Sequence, residues 1–494
     1  MAYWPKFRRG SVSIGWGVGV NWGEIALGAV CRRWREMKSE SIVFISEHGN
    51  SLPIALPLLQ EGVQAQVYIH EPSYRGLYRN MMPRLSVAQL FLAVREASHV
   101  VIDMVRPNHG KPEDLELLKT FKINPKAPSI FGALGDQLRR AYPGKSITGP
   151  SVKSDRWELD REAGIELARQ IGLKIPEYHA FTSFKDGAKF VYKGPGKGKK
   201  WVIKPSGNAA LDLTYAETFK KGGEVLDLLT NTYPARFGTD KCDYILQAFV
   251  DDAVELSNAL QIYQGKIVSV NRTFESKKFI EGDKGCNMGS ASNTVWQCKD
   301  AEGIIHKQMQ GLLPLVGMQN GEMDANCMVD KQGNGWFLEW TCFRLGLDAA
   351  YCQQAQIPKG KRAAFWLKGG KAKYLPGFAA SQRVMLMVSG GLVREEKDRK
   401  EIRGNLINHD LKDLEDWWLQ DVYLDLKGKL RVAGADGLVG VVTRVGDTME
   451  AAINAVQKEC ADFECTGNLQ WRTDHLEKHL ERLDKLKKWG IEIF

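Results

Sequence analysis

An α/β domain leading into an α+β architecture and a small β-rich end is the fold class that the sequence predicts, on three observations. From residue 41 short apolar runs alternate with helical segments. Between residues 320 and 348 two apolar strands flank a glycine turn and carry carboxylates. Beyond residue 370 further short strands end in a charged, amphipathic helix. The chain has 494 residues, 44% hydrophobic and 26% charged, a globular make-up with room for about two to four domains.

Residues 1–40 read as an N-terminal extension. Gly15, Trp16, Gly17, Gly19, Trp22 and Gly23 precede a helix-like stretch over 24–38, and these glycines lack the strand-then-GxGxxG spacing of a dinucleotide loop. The first domain covers 41–150. Its apolar run 42–45 leads into Ser46, Glu47, His48, Gly49 and Asn50, a helical segment reaches Gly62, and 65–70 is the next strand, which makes a βαβ unit. Runs at 99–104 and 129–131 extend the parallel sheet, and the loops at its carboxyl ends, with His48 and Asn50 on one of them, form a ligand crevice.

At Gly149-Pro150-Ser151 the sheet stops, and a second domain covers 151–370. Here 155–172 reads as one amphipathic helix before Pro176, and the glycine- and lysine-rich stretch 193–200 reads as a hairpin feeding the strand 201–204. The last domain, 371–494, has strands at 383–388, 422–426 and 438–442. Its helix 474–489 sets Leu476, Leu480, Leu483 and Leu486 at helical spacing, which suits core contacts.

No apolar run reaches the roughly 18 to 20 residues that cross a bilayer, and the first ten residues, with Lys6, Arg8 and Arg9, are not followed by the clean apolar segment and small-residue cleavage site of a leader. A cytoplasmic enzyme is the expectation. The nine cysteines are scattered with no CxxC pair, which argues for reduced thiols over a disulfide framework or a zinc site. A net charge of +9 suits phosphate-bearing partners, although 68 basic residues are interleaved with 59 acidic ones and form no nucleic-acid motif.

Lys204 ends the apolar strand 201–204 and is followed by Pro205, Ser206, Gly207 and Asn208, so an ammonium and loop amides could converge on a phosphate. The strand 244–250 then runs into Asp251 and Asp252. The backbone at Phe249 and Val250 could pair with an adenine edge while Glu255 takes ribose hydroxyls, and an acidic turn without a ligand is the other reading. The sharpest signal is Asp324 and Glu339, 15 residues apart on two strands joined by the glycine turn 331–335. Hard oxygen ligands on adjacent strands suit magnesium shared with nucleotide phosphates, and a carboxylate within the apolar stretch 336–340 needs a cationic partner.

The order of lysine strand, adenine hinge, glycine-rich loop and carboxylate hairpin resembles the ATP-grasp ligases, and within them the phosphoribosylamine–glycine ligase family. Asp283, Gly285, Asn287 and Gly289 resemble that family's GDxGPNTGxMG substrate loop, and 337–342 (Phe-Leu-Glu-Trp-Thr-Cys) resembles its IEFNC strand. Residues 430–448 resemble its TAGGRVLGVTALGDT stretch and 468–474 its WxGxxYRxDI ending, so the resemblance covers about residues 145–494. It implies a Rossmann-like first domain, a central ATP-grasp domain and a small C-terminal domain. It also implies ATP with magnesium, or manganese in its place, as cofactors.

The implied chemistry joins a small carboxylate such as glycine to an amine through an acyl phosphate, as in purine biosynthesis. Lys204 and Arg344 would neutralise the transferring phosphoryl group, Gln247 would meet the adenine amino group, and Thr341 would join Asp324 and Glu339 at the metal. The family's GNGGREHA motif is missing, with Glu47-His48-Gly49-Asn50 the nearest counterpart, Thr341 replaces an asparagine and Gln247 a glutamate. The resemblance therefore implies the reaction type and leaves the amine open. Two other readings stay open: a nucleotide-binding ATP-grasp protein without ligase activity, and a ligase that modifies a nucleotide or nucleic-acid base with an amino acid.

Overall fold

The computed structural model describes residues 40–492 except 207–213, 218–221, 369, 390 and 415. The expectations for the extension, and for Gly207 and Asn208, lie outside the described residues. Glu40–Phe494 forms one compact unit.

The first layer is a parallel sheet of β1 (Ser41–Ser46), β2 (Gln64–Ile69), β3 (Arg84–Leu85), β4 (His99–Ile102) and β5 (Ser146–Thr148), in the order β3-β2-β1-β4-β5. Ile42, Phe44 and Ile45 are fully buried, as a strand covered on both faces requires. Helix α1 (Leu52–Gln60) starts with Pro53 in its first turn, where the missing N–H costs nothing. The strand expected at 129–131 is instead the start of a helix, Ile130–Ala141, with Ser129 as its N-cap, and β5 takes the sheet position. Ile130, Phe131, Leu134 and Leu138 are all buried at helical spacing, a pattern that three apolar residues alone do not reveal.

The stretch expected as one helix over 155–172 is two, Val152–Leu159 and Arg161–Gln170. Asp160 breaks it, because its Oδ1 accepts from the Glu162 and Ala163 amides as an N-cap. The stretch 193–200 is not a hairpin. Lys193 ends the helix Phe184–Lys193, and the following turn is pinned by the buried Trp201, whose Nε1 donates to the Gly196 carbonyl at 2.9 Å.

That turn feeds a small antiparallel sheet of β6 (Tyr178–Ser183), β7 (Trp201–Pro205), β8 (Tyr215–Ala216) and β9 (Lys241–Ala248), ordered β6-β9-β7-β8. Facing it is a larger antiparallel sheet. It contains β10 (Val254–Tyr263), β11 (Lys266–Ile280), β12 (Lys284–Gln297), β13 (Gly321–Val329), β14 (Gly335–Cys342) and β15 (Phe378–Val388). Short strands β16 (Gly391–Leu392), β17 (Trp417–Leu419), β20 (Leu438–Gly446) and β21 (Asn468–Gln470) extend it, while β18 (Val422–Leu424) pairs β19 (Leu430–Val432) separately. Because β12 pairs with β15, the sheet runs unbroken across residue 370.

The C-terminal helix His475–Lys488 covers the back of β11 and β12. Leu483 and Leu486 are buried there, but so are His475 and His479, which share hydrogen bonds with Thr294. Leu476 and Leu480 are only partly buried.

Candidate functional site

Side chains alternate along β13, and along β14 on either side of a bulge at Leu338 that turns Phe337 to the face opposite Glu339. Met323, Ala325, Cys327, Phe337, Trp340 and Cys342 turn into the core, which leaves Asp324, Asn326, Glu339 and Thr341 together on the opposite face. The register sets Asp324 against Thr341 and Asn326 against Glu339, so the two predicted carboxylates are diagonal neighbours. The same face continues through Glu255 and Ser257 on β10 and Glu275 and Lys277 on β11.

Lys204 reaches this face from the small sheet. Its side chain is buried, and Nζ donates to the Leu338 carbonyl at 2.8 Å, tying β7 to β14. Burial brings its ammonium down to about 7, against the opposing pull of Glu339. Gln247 makes a second tie from β9: its Nε2 donates to the Phe337 carbonyl at 3.4 Å, and its Oε1 is buried with no hydrogen bond.

Lys277 stands at the centre. Its Nζ is 2.8 Å from Glu339 Oε1, 3.0 Å from Glu255 Oε1 and 3.8 Å from Glu275 Oε2. Burial alone would lower its basicity, but Glu255, Glu339 and Glu275 together hold the ammonium well above its ordinary value. Lys277 in turn is the main reason Glu339 stays well below the carboxylate range. Arg161 approaches Glu339 from the other side, at 3.1 Å, while its Nε donates to the Pro205 carbonyl.

Asp324 is different. Its Oδ2 accepts from Ser257 Oγ at 3.0 Å, and its Oδ1 is buried without a hydrogen bond. Burial, then the neighbouring Glu322, pushes this carboxyl well above its usual range.

Other expected residues sit elsewhere on the frame. Arg344 pairs with Glu158 at 2.7 Å, whose second oxygen accepts from the Cys342 amide, and Arg344 Nη2 reaches Thr341 Oγ1 at 3.4 Å. Phe249 and Val250 are half-buried, and the Phe249 amide already donates to the Lys200 carbonyl. Glu255, expected near ribose, also accepts from Asn326 Nδ2 at 2.7 Å within the carboxylate cluster. Asp283 is paired at 2.9 Å with the fully buried Arg472, whose partner Asp474 accepts from the Gly282 amide. Asp283, Gly285 and Gly289 all adopt positive φ, and Asn287 Oδ1 accepts from the Gly289 amide.

Sequence reasoning missed Lys277 and gave Arg161 no role. The signal for Lys277 was present as alternation: Asn271, Thr273, Glu275 and Lys277 are polar at every second position of one strand. Among the described residues no three His, Cys, Asp or Glu side chains converge as around a bound metal. The oxygen-only donors Asp324, Glu339, Asn326 and Thr341 on one face, with Asp324 Oδ1 lacking a partner, nevertheless fit a hard cation such as magnesium. Among the described residues no helix is long and apolar enough to cross a membrane.

A parallel α/β layer, a small antiparallel sheet and a large one meeting at a buried lysine–carboxylate face make up the ATP-grasp fold. More particularly, the chain is similar to phosphoribosylamine–glycine ligase. The crystal structure of that enzyme from Thermotoga maritima superimposes with a TM-score of 0.58 at 15% identity, covering 88% of this chain and 99% of that one. A biotin carboxylase–β,γ-ATP complex from Campylobacter jejuni gives 0.55 at 12% identity, covering 92% and 97%. In sequence, the chain is 25% identical over 231 residues to phosphoribosylamine–glycine ligase of Salmonella typhimurium strain LT2, 44% of this chain and 51% of that protein. The chain thus spans about half the length of the curated relatives it matches. No family model matches it.

Proposed function

We propose that this chain is an ATP-dependent carboxylate–amine ligase that forms an amide through an acyl phosphate. The observation that carries the reading is the meeting of Lys204, Lys277 and Arg161 around Glu339, beside Asp324, at the seam between two sheets. The names of the sequence relatives support a small carboxylate such as glycine and an amine as substrates.

In this reading the substrate carboxylate attacks the γ-phosphorus of ATP, the bond to the β-phosphate oxygen breaks, and ADP leaves. The amine nitrogen then attacks the acyl carbon, inorganic phosphate departs and the amine proton passes to solvent. Lys204, oriented by the Leu338 carbonyl, and Lys277 supply the positive charge that the transferring phosphoryl group requires. Gln247 offers its buried, unpartnered Oε1 to the adenine amino group. Asp324, Glu339 and Thr341, with Asn326 alongside, would hold magnesium or manganese, which when bound neutralises phosphate charge. Arg344, locked to Glu158, positions the end of β14.

A second reading, a nucleotide-binding protein that does not ligate, is favoured by one observation: both oxygens of Glu339 already have cationic partners in Lys277 and Arg161. ATP-dependent phosphate release, assayed with glycine and a panel of amines, separates the two. Release that falls about 100-fold or more in Glu339→Ala is the ligase outcome. Nucleotide binding with no release from the unmodified protein would sink the ligase reading and leave the second.

A further inference from the structure

A separate cleft of about 370 Å³ opens beside the carboxyl ends of β2 and β3, at the lateral end of the parallel sheet. Arg75, Arg84, Ser86 and Gln89 supply its polar wall, and Met82 and Leu85 part of its apolar floor. None of its lining residues is acidic.

The two arginines are held differently. Arg75 is fixed by its own strand end, donating Nη2 to the His70 carbonyl at 2.9 Å and Nε to the Ile69 carbonyl at 3.3 Å. Arg84, on the edge strand, is half-buried, and its neighbouring charge is another cation, Arg79. Among the described residues no carboxylate lies within ion-pair distance of Arg75, Arg79 or Arg84. A half-buried guanidinium with a cation beside it and no carboxylate partner is costly until an anion joins it. Ser86 and Gln89 cap each other: Gln89 Oε1 accepts from Ser86 N and Oγ and the Gln89 backbone N–H donates to Ser86 Oγ, so the side-chain nitrogen Nε2 of Gln89 remains a donor.

We propose that this cleft binds the phosphate group of a small phosphate monoester whose apolar body rests on Met82 and Leu85. The Arg84 fork and the Nη1 group of Arg75, whose Nε and Nη2 are held by backbone carbonyls, together match the three terminal oxygens of a dianionic phosphate better than a planar carboxylate, which one fork satisfies. The cleft volume is that of a small-molecule site and leaves room for a body beyond the phosphate. The site lies outside the Lys204–Glu339 machinery and does not depend on the ligase reading.

Calorimetric titration of the full chain with phenyl phosphate tests it, with inorganic phosphate, phenol and benzoate as comparisons. Phenyl phosphate should bind saturably and more tightly than inorganic phosphate, with no binding of phenol and weaker binding of benzoate. Arg84→Gln and Arg75→Gln should each weaken it about tenfold or more, and saturating MgADP should leave it unchanged. Arg75 is exposed, so Arg75→Gln carries the test should Arg84→Gln fail to fold. Equal affinity in the wild type and both variants, competition by MgADP, or benzoate binding as tightly as phenyl phosphate would each overturn the proposal. So would a single-stranded oligonucleotide that binds tighter than phenyl phosphate and is weakened by the same substitutions, since the occupant would then be a polymer.

Discussion

Lys277 shows how much one side chain organises here. It serves Glu255, Glu275 and Glu339 at once, so Lys277→Met would leave three carboxylates crowded on one face without their shared cation. These groups are partly exposed, so the destabilisation should be moderate, roughly 1–3 kcal/mol by urea denaturation. On the ligase reading, phosphate release should fall more steeply, about 100-fold, because the ammonium would stabilise the transferring phosphoryl group. A variant with unchanged turnover would show that Lys277 is a structural counter-ion alone. Lys204 and Glu339 were legible in the sequence because a lone charge at the end of an apolar strand, or within one, is conspicuous. Lys277 was not, because it lies in a strand already rich in charge, and only the pairing of β10, β11 and β14 shows which carboxylates it meets.

At the level of elements, caps and close approaches decide what apolar pattern alone leaves ambiguous. Asp160 splits one amphipathic stretch into two helices and thereby brings Arg161, the first residue of the second, to Glu339. The helix Ile130–Ala141 packs so tightly on the chain that a Cβ at Gly135 would fall 2.2 Å from the Pro150 carbonyl oxygen. Gly135→Ala should therefore cost about 1–3 kcal/mol despite the better helix propensity of alanine. Chemical denaturation that shows Gly135→Ala as stable as the parent would refute this account of the helix's seat. Because that helix lies against Gly149 and Pro150, where the first sheet hands over to the central sheets, the same variant reports on how firmly the two are joined.

Across the whole molecule, buried histidines and buried carboxylates give the pH response opposing signs. Burial lowers His99 and His306 to about 4 and His475 to about 3. Between pH 6.5 and these values the unfolded chain binds protons that the folded chain refuses, so each histidine loses stability as pH falls, by up to about 1.4 kcal/mol per unit. Burial raises Asp103 to about 6 and Glu47 to about 7, and those groups act the other way over the same range. The histidine contribution is isolated by difference. His99→Gln, which can keep a hydrogen bond to Thr148, should lose less stability than the parent between pH 6.5 and 4. Parallel stability–pH curves for the two proteins would remove His99 from the acid response.

The order of the parts is legible in the chain alone: a βαβ start, a lysine-bearing strand, a hairpin with Asp324 and Glu339, and a C-terminal helix. Each of these is written in local periodicity or in a turn residue, and local signals survive without knowledge of the fold. Packing in three dimensions makes residues 129–131 the capped start of a helix, carries the central sheet into the strands beyond residue 370, and brings Lys277 and Arg161 to Glu339 from 62 and 178 positions away. The reason is physical. A charge's partner is set by strand register and by which faces are left open, and neither is a property of any short window of sequence.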